Sequence, residues 1–110
     1  MDVKSFDKDG VKVFKIKGEV DIAASPGLKS YLEKNTAKKL VIDLSEVGYV
    51  DSSGLATLVE ILKRTKAQGG SLGLAGLSAK VRSLFEITKL DKLFLVFQNQ
   101  QEAVTASNKN

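Results

Sequence analysis

Between Leu40 and Leu62 the spacing of the apolar residues changes character, and few folds accept both halves. The first half, "LVIDL" from Leu40 to Leu44, is a compact apolar run of strand length and reads as a buried central strand. The second half places Leu55, Leu58, Val59 and Leu62 at i, i+3, i+4 and i+7, one apolar stripe of an amphipathic helix. Strands that alternate with helices pair in parallel, because each helix carries the chain back across the sheet in a right-handed crossover.

The flanking segments repeat the alternation. Residues 3–17 read as a hairpin turning at Asp7-Lys-Asp-Gly10, where Asp-Gly is a strong short-range turn signal. Beyond it the chain alternates, with Phe14 and Ile16 on one face and Val11 and Val13 on the other. A loop starts at Gly18. Ser25 is the candidate N-cap of a helix over 26–35, with Pro26 in the first helical position and Leu28, Tyr31 and Leu32 sharing a face. Gly69-Gly70 closes the Leu55–Leu62 helix. A weaker strand follows over 71–76, then a helix capped by Ser78 with Val81, Leu84 and Phe85 inward, then a strand over 93–97. The tail from Gln98 holds a short helix around 101–106 or frays. The expected fold is a single small α/β domain over 1–110, with its core at about 3–105. Its sheet is mixed and mostly parallel, with an N-terminal hairpin and about four helices.

Composition removes whole classes of function. The 110 residues suffice for one core. Cysteine is absent, so there is neither a disulfide framework nor a thiolate metal site, which fits a reducing compartment. Histidine is absent too, which excludes a Ser-His-Asp triad and a histidine metal site. A serine hydrolase would need a lysine as base, and the serines at 52 and 53 have none at S-x-x-K spacing. There is no P-loop. No catalytic centre, metal or cofactor is therefore expected. The net charge of +4 is spread from Lys4 to Lys109 among acids, with Lys38-Lys39 and Lys63-Arg64 the only adjacent basic pairs. Direct nucleic-acid binding is not expected. No apolar run approaches the roughly 20 residues that span a bilayer, so the expectation is a cytoplasmic protein without a membrane role.

The turn "YVDSSGL", Tyr49 to Leu55, carries the question of function. Asp51 or either serine makes a good N-cap, accepting hydrogen bonds from the unpaired amides of the first helical turn. Gly54 permits a tight backbone approach. Those roles need nothing more. A serine at a helix N-terminus is also a place prepared for an anion, because free amides and the positive end of the helix dipole surround it. A phosphate added there brings about −1.5 to −2 charges at neutral pH.

At this point the ordered set of motifs matters more than any tetrapeptide. The "VIDL" strand, the V-x-Y-V-D-S-S-G turn ending at Gly54, the apolar helix and the Gly69-Gly70 break stand in sequence. So do the following strand and helix, and "LDKLF" at 90–94. Upstream, "IKGEVDIAAS" at 16–25 adds Gly18, Glu19 and Asp21. Together they resemble the STAS domain of bacterial anti-sigma-factor antagonists over about 3–105. The resemblance implies a small cytosolic binding module and not an enzyme, acting as a monomer when free. Unphosphorylated, such a protein binds an anti-sigma factor that is also a serine kinase of the GHKL type, and so releases the sigma factor. The phosphorylated serine directly follows the motif aspartate, here Ser52, and a PP2C-type phosphatase reverses the modification. Asp51 would lie against the acceptor and Ser53 would help hold the turn. Asp21, Gly54, Leu55 and Ala56 would complete the partner surface. The alternative is a constitutive STAS scaffold in a stress-signalling or lipid-transport assembly, in which the turn is only a cap.

Overall fold

A computed structural model of the chain describes residues 1–109. Strands β1 (Asp2–Lys8) and β2 (Val11–Val20) form the expected antiparallel hairpin. Lys8 pairs with Val11, and the two turn residues, Asp9 (φ 53°) and Gly10 (φ 79°), both take the left-handed conformation. A two-residue loop needs this to match the strand twist, and Asp-Gly supplies it at little cost. There follow α1 (Ser25–Lys34), β3 (Lys39–Val50), α2 (Ser52–Ala67), β4 (Ser71–Ala75), α3 (Ala79–Ile87), a 3-10 turn (Leu90–Lys92), β5 (Leu95–Phe97) and α4 (Gln100–Ser107). The expected order and fold class are observed. Among the described residues no helix is long and apolar enough to cross a membrane.

The strands lie in the order β1-β2-β3-β4-β5, and every pair after the first is parallel. Right-handed crossovers that step in one direction across a sheet deposit their helices on one face. Accordingly Leu28 and Leu32 of α1, Leu55, Leu58 and Leu62 of α2, and Val81 and Phe85 of α3 share one core with Phe14, Ile16, Ile42 and Leu44. Phe14 and Ile16 thus face the crossover helices, while Val11 and Val13 face the opposite side, as their alternation predicts. α4 is not a crossover and covers that second side. Its fully buried Ala103 and nearly buried Val104 pack with Val11, Val13, Val41 and Ala75. The tail therefore forms a helix and does not fray.

Four boundaries differ from expectation. β2 continues past Gly18 to Val20 and β3 past Leu44 to Val50, with two register shifts where they pair. The added residues of β3 are buried only at Val47 and Val50, so no apolar run announces them. β5 begins at Leu95 because Leu93 and Phe94 close the 3-10 turn, where the Phe94 ring meets Phe85 edge-on at 5.7 Å. Ser25 is the first helical residue of α1 and not its N-cap. Its hydroxyl donates back to the carbonyl of Asp21 (2.7 Å).

α4 is fastened at both ends. The Asn99 side chain caps it by accepting from the Glu102 amide (2.9 Å). The Gln100 side-chain amide donates to the buried Asp43 carboxylate (2.9 Å), whose other oxygen accepts from the backbone amide of Ser45 (2.9 Å). At the far end, the Asn108 side chain accepts from Lys39 and donates to the carbonyl of Asp9. Asn99→Ala is expected to cost about 1 kcal/mol, read as a lower midpoint in urea with an unchanged slope.

Candidate functional site

β3 ends at Val50, and the chain enters α2 through Asp51, which is extended (φ −99°, ψ −177°). The N-cap is this aspartate and neither serine. Its Oδ1 accepts from the Gly54 amide (2.9 Å), and its Oδ2 accepts from the amide of Ile22 (3.0 Å) in the turn after β2. The Asp51 amide in turn donates to the carbonyl of Val20 (3.2 Å). One residue thus ties together the end of β2, the following turn and the start of α2.

That division of labour frees the serines. Ser52 opens α2 and is exposed, and among the described residues its hydroxyl makes no hydrogen bond. Ser53 is half-buried, and its carbonyl accepts from the Thr57 hydroxyl (3.0 Å). Gly54 is buried because the helix start presses on β2. A Cβ there would collide with the Val20 carbonyl oxygen and stand 3.0 Å from Val20 Cγ1. The positive end of a 16-residue helix therefore opens beside an unengaged hydroxyl.

The residues expected at a partner surface divide by burial. Ser52 and Ala56 are exposed, Asp21, Asp51 and Ser53 are half-buried, and Gly54 and Leu55 are buried. Leu55 is only 8% accessible and belongs to the core. It and Gly54 shape the surface from beneath and offer little to touch, because both lie on the stripe of α2 that faces the sheet. Asp21 has a defined local role. Its carboxylate accepts from the Ala24 amide (3.0 Å), and its carbonyl accepts from the Ser25 amide (2.9 Å), which fixes the turn into α1. The turn that Asp21 shapes is the one that Asp51 grips through Ile22, so two acids far apart in sequence serve one feature.

Two exposed apolar residues beside the site escape a periodicity reading: Ile22, 72% accessible, and Tyr49, 43% accessible. Ile22 stands between Asp21 and Ala23 and Tyr49 between Gly48 and Val50, both outside any apolar stripe.

The model of the STAS domain family matches residues 5–103. The anti-sigma-B factor antagonist of Bacillus subtilis is 40% identical over 92 residues, covering 82% of this chain and 83% of that protein. The anti-sigma-B factor antagonist of Listeria monocytogenes is 38% identical over 96 residues, covering 84% of this chain and 83% of that protein. Among solved structures, an anti-sigma factor antagonist from Mycobacterium paratuberculosis superimposes with a TM-score of 0.89 at 29% identity. The match covers 98% of this chain and 94% of that one.

Proposed function

The chain belongs to the STAS domain family, and from that premise we propose that it is an anti-sigma factor antagonist switched by phosphate on Ser52. Unphosphorylated, it binds an anti-sigma factor that is also a GHKL-type serine kinase and frees the sigma factor. A PP2C-type phosphatase returns the phosphorylated form to service. The relatives' names support the first part. The observation that carries the switch is the division of labour at the head of α2: Asp51 does the capping, and Ser52 presents an exposed, unbonded hydroxyl.

The energetics fit a switch that alters the surface and leaves the fold alone. The helix dipole and first-turn amides offset part of the charge of a phosphate, contributing about 0.3–1 kcal/mol. Among the described residues the Ser52 hydroxyl has no hydrogen bond to lose. A partner carboxylate at about 6 Å is repelled by roughly 1 kcal/mol per charge in water and roughly 3 kcal/mol at an effective dielectric of 20. A bound surface therefore loses far more than the fold does.

The test uses the purified chain, ATP-Mg and lysate of the source organism, followed by peptide mass spectrometry, with Ser52→Ala and Ser53→Ala in parallel. Phosphate on Ser52, retained in Ser53→Ala and absent from Ser52→Ala, is the expected outcome. Stoichiometric phosphate on Ser52→Ala would sink the acceptor assignment. No phosphate on any form, with the kinase active on another substrate, would leave a constitutive scaffold with a capped helix.

A further inference from the structure

Single exposed aliphatic side chains are ordinary on protein surfaces, so the exposure of Ile22 alone means nothing. Its mounting is what sets it apart. The residue sits on the four-residue turn between β2 and α1, and its own amide is held by the Asp51 carboxylate (3.0 Å), a charge-assisted bond. On its other side, the Ala24 and Ser25 amides both donate to Asp21, at 3.0 and 2.9 Å. The backbone of the turn is therefore fixed from two directions. The side chain is β-branched and stiff at χ1. Its neighbour along the turn, Ala23, is small and exposed, and Ile22 itself is 72% accessible.

A side chain that is already ordered loses little freedom on burial, and contact anchors draw their strength from that. The carboxylate that holds it belongs to the residue directly before Ser52, so the projecting side chain and the acceptor hydroxyl share one support.

We propose that Ile22 is the apolar anchor with which this face seats in an aliphatic pocket of its anti-sigma factor. Asp51 is the positioning residue that presents it. The proposal deepens the function proposed above and rests on it. Asp51 acts here through a backbone amide, in addition to capping α2. Its contribution to binding is therefore conveyed by the position of Ile22.

The experiment measures the affinity of the purified anti-sigma factor of the source organism by titration calorimetry. It compares the wild-type chain, Ser52→Asp, Ile22→Ala, Asp51→Asn and the double variant, with amide exchange at Ile22 followed by NMR. Ile22→Ala is expected to weaken binding about 10- to 100-fold with an unchanged melting curve, since it removes exposed atoms only. Asparagine offers one acceptor oxygen to two amides, so Asp51→Asn should speed exchange at Ile22 and weaken binding. The double variant should then bind no worse than the weaker single one. Binding of Ile22→Ala within about twofold of wild type, with Ser52→Asp still defective, overturns the anchor and leaves the function standing. Effects of the two substitutions that multiply overturn the positioning role of Asp51. A wild-type chain that does not bind overturns the anchor and the function together.

Discussion

Gly54→Ala is expected to lower the melting temperature by roughly 12–24 °C, corresponding to about 3 kcal/mol at about 4–8 °C per kcal/mol for a domain near this size. In an exposed helix the same change would stabilise by up to about 1 kcal/mol. Here the added carbon meets the carbonyl oxygen and carbonyl carbon of Val20, which are backbone and cannot rotate aside. Moving Val20 would strain the bond its carbonyl accepts from the Asp51 amide, and moving the helix would strain the bond from the Gly54 amide to Asp51 Oδ1. The destabilisation should also loosen the turn at Ile22, which hangs on the same carboxylate. Scanning calorimetry decides it. A shift below about 4 °C would mean that the end of β2 yields to a methyl group and that the glycine is not required by space.

Ser52→Asp is expected to separate binding from folding. One carboxylate at the head of α2 sits favourably in the helix dipole, so the melting temperature should hold or rise by a few degrees, for about 0.3–1 kcal/mol. Affinity for the anti-sigma factor should fall about 10- to 100-fold, the equivalent of roughly 1.4–3 kcal/mol of charge and steric conflict in a partly dehydrated contact. Calorimetric titration beside a melting curve reads both. Wild-type affinity would remove the switch from the proposed function. A collapse of the melting transition would show instead that the hydroxyl at position 52 has a structural duty that the observed hydrogen bonds do not reveal.

Elements announced by period and by turn chemistry were legible. The Leu55–Leu62 stripe, the Asp9-Gly10 turn and the two-faced pattern from Val11 to Ile16 each depend on residues adjacent along the chain, and each appears as expected. The far half of β3 was not legible, because Ser45 to Tyr49 join a strand by pairing with β2 and not by their own apolar content. The start of α1 was misplaced for a related reason: Asp21, four residues back, accepts from the Ala24 and Ser25 amides and from the Ser25 hydroxyl, which draws Ser25 into the helix and leaves Ala24 at the cap. At the site, "DSSG" showed that a cap and a hydroxyl were present, yet not which residue would do the capping. That choice depends on the Ile22 amide and the Val20 carbonyl, both distant in sequence. The same distance concealed Ile22 and made Leu55 look available to a partner.

The strand order β1-β2-β3-β4-β5 bears on how fast the chain reaches its native state. Each strand pairs with the one synthesised just before it, so no late strand has to insert between two early ones. Every closure spans a hairpin or a single crossover, the shortest connection a parallel pair allows, and its entropic cost grows only slowly with that length. Rapid-mixing refolding should therefore follow a single exponential, with the hairpin available as a template to which β3, β4 and β5 add in turn. Only α4 must wait for the sheet, since the surface it covers does not exist until β3 and β4 are paired.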